Sequence, residues 1–158
     1  MNSLFSLEEA IQLKNDLDAQ GKTLVFTNGV FDLLHIGHLD YLEKARSLGD
    51  ALLVALNDDE STRHYKGAGR PLVPDIERAR LLLALQPVTA VMLFPDATVD
   101  RLLNAIRPHI YAKGGDYTPE TLPEYPTLQA YGGKLHLIDY LPDHSTSTLI
   151  ARIKNLGT

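Results

Sequence analysis

Two imidazoles three residues apart, with a glycine between them, stand in the chemically densest stretch of the chain: Thr27-Asn28-Gly29-Val30-Phe31-Asp32-Leu33-Leu34-His35-Ile36-Gly37-His38. On the first turn of a helix His35 and His38 point to the same side. A helix start also carries free backbone N–H groups, so this stretch is a natural receiver for polyphosphate oxygens. Gly37, with no side chain, lets a flat ligand such as a nucleobase lie against the backbone. With six His and eleven Gly in 158 residues, composition alone predicts His-x-Gly-His about 0.02 times. Zinc is a poor fit, because the zincin pattern needs two His four apart with a Glu between them.

Three other segments carry chemistry. Ser145-Thr146-Ser147-Thr148 offers hydroxyls where a last helix would begin, suited to a plain N-cap or to phosphate. Residues 63 to 80 hold five cations (Arg63, Lys66, Arg70, Arg78, Arg80) and two anions (Asp75, Glu77), a local +3. That charge fits an anion site or a solvated helix face with pairs such as Asp75 and Arg78. Lys113-Gly114-Gly115-Asp116 is either a turn or a place where backbone N–H groups approach a ligand, and Asp116 either contacts a substrate hydroxyl or ends the turn. Asp32, the one carboxylate of the first stretch, either fixes its own loop or touches substrate. His64, His109 and His136 read as structural or solvated.

The elements that must position these residues alternate along the chain. A capping box, Ser6 with Glu9, opens a helix ending near Gln20-Gly21. Leu24 to Phe26 reads as a strand buried on both faces, followed by a loop from Thr27 to Asp32. A helix through Leu39, Leu42, Ala45 and Leu48 stops at Gly49, and Ala51 to Leu56 forms a second strand. Residues 61 to 74 lack periodicity and read as a long loop. Then come a helix from Pro74-Asp75 through Leu85, a strand at Val91 to Phe94, a helix over about 98 to 106 and a strand at Ile110 to Ala112. A helix over Glu124 to Ala130, a strand at Leu135 to Ile138 and a helix from Ser145 to about Lys154 complete the series. The expectation is a Rossmann-like doubly wound α/β domain over residues 1–158: five parallel strands, helices on both faces, and a crevice beyond the carboxyl ends of the strands.

Composition narrows the classes. There is no cysteine, which excludes disulfides, thiolate metal sites and cysteine nucleophiles. Fifteen Lys+Arg against twenty Asp+Glu give a net charge of −5, which argues against broad nucleic-acid binding. No apolar run reaches membrane-spanning length, and Glu8 and Glu9 stand where a signal peptide would be basic or greasy. The expected location is cytoplasmic.

The stretch Gly29-Val30-Phe31-Asp32-Leu33-Leu34-His35-Ile36-Gly37-His38 resembles the signature of the HIGH-motif, cytidylyltransferase-like nucleotidyltransferases. His144-Ser145-Thr146-Ser147-Thr148-Leu149-Ile150 resembles their second signature, I-S-T-T-x-I, with His144 in place of an apolar residue and Ser147 in place of Thr. Thr27-Asn28-Gly29, the run Lys66-Gly67 to Arg70-Pro71-Leu72-Val73-Pro74, and Lys113-Gly114-Gly115-Asp116-Tyr117 are similar to one branch, the adenylyltransferase domain of bacterial ADP-heptose synthesis. The likeness covers about residues 6 to 154.

The resemblance implies transfer of AMP from ATP to a sugar 1-phosphate with release of pyrophosphate, aided by Mg²⁺ held mainly by substrate phosphates. It implies catalytic roles for His35, His38, Lys66 and Arg78, with Lys66, Arg70 and Arg78 over the triphosphate. Thr27, Asn28, Gly29, Phe31, Gly37, Lys113, Gly114, Ser145, Thr146 and Ser147 would bind the nucleotide or its phosphates; Asp32, Arg70, Gly115 and Asp116 would bind the acceptor. It further implies a homodimer, and a kinase on a separate chain to make the acceptor. Two alternatives stay open at this level: a glycerol-3-phosphate cytidylyltransferase-like enzyme using CTP, and a non-catalytic nucleotide-sensing module.

Overall fold

The computed structural model describes residues 3–157. Six parallel strands form one sheet: β1 (Ser3–Leu4), β2 (Leu24–Gly29), β3 (Ala51–Asn57), β4 (Ala90–Phe94), β5 (Ile110–Gly114) and β6 (Lys134–Ile138). Seven helices connect and flank them: α1 (Leu7–Ala19), α2 (Ile36–Arg46), α3 (Asp59–Lys66), α4 (Asp75–Leu83), α5 (Asp100–Ile106), α6 (Tyr125–Tyr131) and α7 (Thr146–Asn155). The strand order is β1-β4-β3-β2-β5-β6. From β2 the chain first builds outward through β3 and β4, then returns to lay β5 and β6 on the other side. The order therefore reverses between β2 and β5, which opens a crevice at their carboxyl ends.

Alternation within the strands divides the core. Leu24, Phe26, Leu53, Ala55 and Tyr111 pack on the face covered by α1, α5 and α6. Val25, Leu52, Val54, Leu56 and Ala112 pack on the face covered by α2 and α4. Because both faces are covered, the central strands read as unbroken apolar runs, with every side chain from Ala51 to Leu56 buried.

The α/β class agrees with the sequence, and some details differ. β2 runs on through Thr27, Asn28 and Gly29, expected in a loop, and β5 includes Lys113 and Gly114, because pairing with the neighbouring strands extends past the apolar residues. The sheet has a sixth strand, a two-residue edge in which Ser3 and Leu4 pair with Ala90 and Val91; a segment so short leaves no periodicity to read. Residues 59 to 66, placed largely within a long loop, form α3. Its N-cap Asp58 accepts a hydrogen bond from the Ser61 N–H at 2.8 Å, and only Thr62 is buried. A helix held by its cap and exposed on nearly every side shows no apolar stripe. Among the described residues no helix is long and apolar enough to cross a membrane.

Candidate active site

The N-terminus of α2 is built by its two histidines. His35 is the N-cap, and its Nδ1 accepts from the Gly37 N–H at 3.1 Å. The Nδ1 of His38 accepts in turn from the His35 N–H at 3.3 Å. This is a capping box made from imidazoles. With each Nδ1 engaged as an acceptor, these bonds assign the proton of the neutral rings to Nε2. The rings stack 3.9 Å apart at 29°, and Phe31 lies against His38 with centroids at 5.4 Å. Burial, with the neighbouring His35 adding to it, pushes the His38 pKa down to about 4. Burial and His144 also lower that of His35. At neutral pH the pair thus presents N–H donors and no full charges. Gly37 is required at this point, because a Cβ there would lie 2.9 Å from the His35 ring and 3.1 Å from the His144 Cβ.

A second helix start faces the same opening. Ser145 caps α7, its Oγ accepting from the Thr148 N–H at 3.0 Å. Thr146 Oγ1 donates to the Asp32 carbonyl at 2.7 Å, which fastens α7 to the loop between β2 and α2. Ser147 is exposed beside it. Both helix ends border one cleft of about 1240 Å³, whose wall also includes Asn28, Gly29, Phe31, Lys66 and Lys113.

The floor lies between β2 and β5. The Tyr111 hydroxyl donates to Asn28 Oδ1 at 2.6 Å, and Lys113 Nζ reaches the same oxygen at 3.4 Å. Lys113 also sits over the Tyr117 ring, 5.3 Å from its centroid. Burial lowers the Lys113 pKa, and the Glu124 carboxylate opposes that shift.

Several expected contacts fall elsewhere. Arg78 is fully buried and is not part of the cleft wall. Its guanidinium donates to the carbonyls of Val73, Val30 and Asn57 and to Asp59 Oδ1, so four of its five N–H groups are spent inside the protein. Asp32 is also buried, and its carboxylate accepts from Arg70 Nε and from the Leu72 and Val73 N–H groups at 2.7 to 3.0 Å. These bonds fix the loop, and both Asp32 and Arg70 still border the cleft. Thr27 is buried, with its hydroxyl hydrogen-bonded to that of Tyr41 at 2.7 Å; Tyr41 donates to the Ala112 carbonyl. Gly115 and Asp116 are not in the cleft wall. Gly114 is, but a Cβ there would lie 2.6 Å from the Tyr140 ring, so this glycine admits a tyrosine.

Some cleft residues escaped the sequence. Tyr41, three residues beyond His38 on the same helix face, could have been found by spacing. Tyr117, Glu124 and Tyr140 line the cleft, but only the packing of the β5 and β6 connections brings them there.

Two helix N-termini and two neutral imidazole donors around one opening at the switch point of a parallel sheet make an α/β domain with a cleft suited to anions. Comparison with known proteins is specific: the description "Cytidylyltransferase-like" matches residues 26–150, and the chain belongs to that family, which makes it a nucleotidyltransferase. Among curated relatives, the bifunctional protein HldE of Syntrophotalea carbinolica is 47% identical over 148 residues, covering 94% of this chain and 30% of its own length. The HldE of Pelobacter propionicus is 48% identical over 135 residues, covering 85% and 28% respectively. The chain thus spans under a third of the length of the curated relatives it matches. Two solved structures share the fold. A lipopolysaccharide core biosynthesis protein from Thermoplasma volcanium aligns with a TM-score of 0.64 at 24% identity, covering 77% of this chain and 98% of that one. Pantothenate synthetase from Thermus thermophilus aligns at 0.63 with 15% identity, covering 96% and 70%.

Proposed function

We propose that this nucleotidyltransferase joins AMP from ATP to a sugar 1-phosphate, with heptose 1-phosphate as the acceptor. The observation that carries the transfer chemistry is the stacked His35–His38 pair, with Nε2–H donors at one helix start and a second helix start across the cleft. The choice of ATP and heptose is supported by the likeness of the Lys113-Gly114-Gly115-Asp116-Tyr117 and Lys66 to Pro74 segments to the ADP-heptose branch, and by the HldE relatives.

In this reaction an oxygen of the acceptor phosphate attacks the α-phosphorus of ATP in line. A new P–O–P bond forms, the bond between the α-phosphorus and the bridging oxygen to the β-phosphate breaks, and pyrophosphate leaves with that electron pair. The nucleophile is already an anion at pH 7, so the chain need not supply a base. Its task is to hold the groups in line and to stabilise charge as it builds on the phosphate oxygens. His35 and His38 donate hydrogen bonds there, Lys66 and Lys113 add positive charge, and the start of α7 receives phosphate oxygens. Mg²⁺ would be held chiefly by the triphosphate and water. Bound in that way, the ion would neutralise phosphate charge.

The test is a matrix of ATP, CTP and GTP against heptose 1-phosphate, glycerol 3-phosphate and other phosphorylated alcohols, read by pyrophosphate release. ATP with heptose 1-phosphate is expected to lead. If CTP with glycerol 3-phosphate leads, the substrate assignment is wrong; if no pair exceeds background, transfer itself is rejected.

A further inference from the structure

Glu124 immediately precedes α6 as its N-cap, yet its side chain makes no capping hydrogen bond. It is only 7% exposed, and it lines the cleft. Its backbone carbonyl accepts from the Leu128 N–H, but its carboxylate has no hydrogen bond or ion pair with any described residue. The other buried charged side chains are fully engaged, Asp32 by Arg70 and two backbone N–H groups and Arg78 by Asp59 and three carbonyls. Lys113, whose charge the Glu124 carboxylate favours, is hydrogen-bonded to Asn28 and lies over the Tyr117 ring. The carboxylate oxygens are not among the buried atoms left without a partner, so on this largely covered residue they keep contact with solvent at the cleft and stay free to accept from a ligand.

What would complete it is a ligand that donates. A phosphate would be repelled by the carboxylate. A pair of neighbouring hydroxyls supplies two O–H donors to the two carboxylate oxygens without adding charge. Tyr117 lies on the same wall.

We propose that Glu124 is the diol-reading residue of the cleft, accepting hydrogen bonds from vicinal hydroxyls of a bound sugar. This rests on the transfer reading above, and the same chemistry is present in the ribose of the nucleotide and in the acceptor sugar.

Calorimetric titration separates these sources. Wild type, Glu124→Ala and the isosteric Glu124→Gln are titrated with ATP, 2′,3′-dideoxy-ATP and ITP. Heptose 1-phosphate and glucose 1-phosphate are then titrated into protein saturated with α,β-methylene-ATP. Melting temperatures report folding, and Glu124→Gln decides if the alanine variant does not fold. If the ribose is read, ATP and ITP weaken at least tenfold in Glu124→Ala while 2′,3′-dideoxy-ATP binds all three proteins alike. If the acceptor is read, ATP is unchanged and a sugar phosphate weakens at least tenfold. The proposal is overturned by changes under twofold throughout, by equal losses for ATP and its dideoxy analogue with no loss for the sugar phosphates, or by a loss for ATP that ITP does not share. A wild-type protein that releases no pyrophosphate counts against the transfer reading alone. If it also binds neither sugar phosphate, the comparison of ATP with its dideoxy analogue decides Glu124 by itself.

Discussion

Arg70 Nε donates to Asp32 Oδ2 across 2.8 Å, joining the loop before α2 to the segment that leads into α4. The same carboxylate receives the Leu72 and Val73 N–H groups, and the Asp32 carbonyl receives the Thr146 hydroxyl. One residue thus fixes three stretches of chain around the cleft. The loop it holds includes Phe31 and Leu33 in left-handed backbone conformations, with φ of 50° and 51°, which non-glycine residues keep only where their surroundings enforce them.

Asp32→Asn should therefore cost more stability than Arg70→Ala. The first weakens three hydrogen bonds and leaves Arg70 without its counter-charge, a loss of about 3 kcal/mol. The second leaves two backbone donors on the carboxylate and costs about 1 kcal/mol. Urea denaturation of both variants checks the order; equal losses would mean that the ion pair, and not the backbone N–H groups, holds the loop.

His35→Ala and His38→Ala should each lower kcat by about 10²- to 10³-fold, the usual effect of deleting one donor to a developing oxyanion. Because each ring also caps α2, a loss of about 1 kcal/mol of stability accompanies the change. The double variant should lose far less than the product of the two, since the rings position each other. Steady-state pyrophosphate release on protein verified as folded provides the measurement, and near-normal turnover of His38→Ala would remove its central role.

The depressed His38 pKa makes the free protein acid-sensitive. Unfolded, the imidazole titrates near its ordinary value of about 6.5; folded, it titrates at about 4. Between those values the unfolded state binds the extra proton, so stability is full above about pH 6.5 and falls as pH drops towards 4. His38→Gln should flatten this part of the profile. Asp32 has the opposite kind of group: burial raises its pKa, but the Leu72 N–H, Arg70 and the Val73 N–H together hold it below the usual carboxylate value. Its contribution disappears only below about pH 4. Urea titrations from pH 7.5 to 3 resolve the two windows, and an unchanged slope between pH 6.5 and 4.5 in His38→Gln would assign the sensitivity elsewhere.

Lys66 and Arg78 should separate function from stability. Lys66 is exposed on the cleft wall, so Lys66→Ala should alter stability by less than about 0.5 kcal/mol while raising the KM for ATP or lowering kcat at least tenfold. Arg78→Met leaves Asp59 and three carbonyls without their donor, at a cost of about 3 kcal/mol or more, and should leave the KM of the folded fraction near wild type. A selective rise in KM for Arg78→Met would return that residue to the nucleotide.

The sequence by itself determined the α/β class, the order of most elements and the two segments that meet at the cleft, His35 to His38 and Ser145 to Thr148. These are local matters. Apolar runs covered on both faces must become buried strands, and a polar residue with the right spacing caps a helix whatever lies nearby. α3 and the two-residue β1 were illegible for the same reason, since neither writes an apolar period.

Only the tertiary structure decided which polar side chains remain available to a ligand. Arg78 and Thr27 looked like cleft residues from their neighbours in sequence and are not in its wall, while Asp32 and Arg70 border the cleft but are tied to each other. Each finds partners distant in sequence, and Arg78 and Asp32 bury a charge that must be satisfied within the protein. Glu124 had no feature to mark it, yet packing covers most of the residue and leaves its carboxylate without a hydrogen bond inside the protein. Composition records how many charges a chain has; the fold determines which of them are already spent on holding it together.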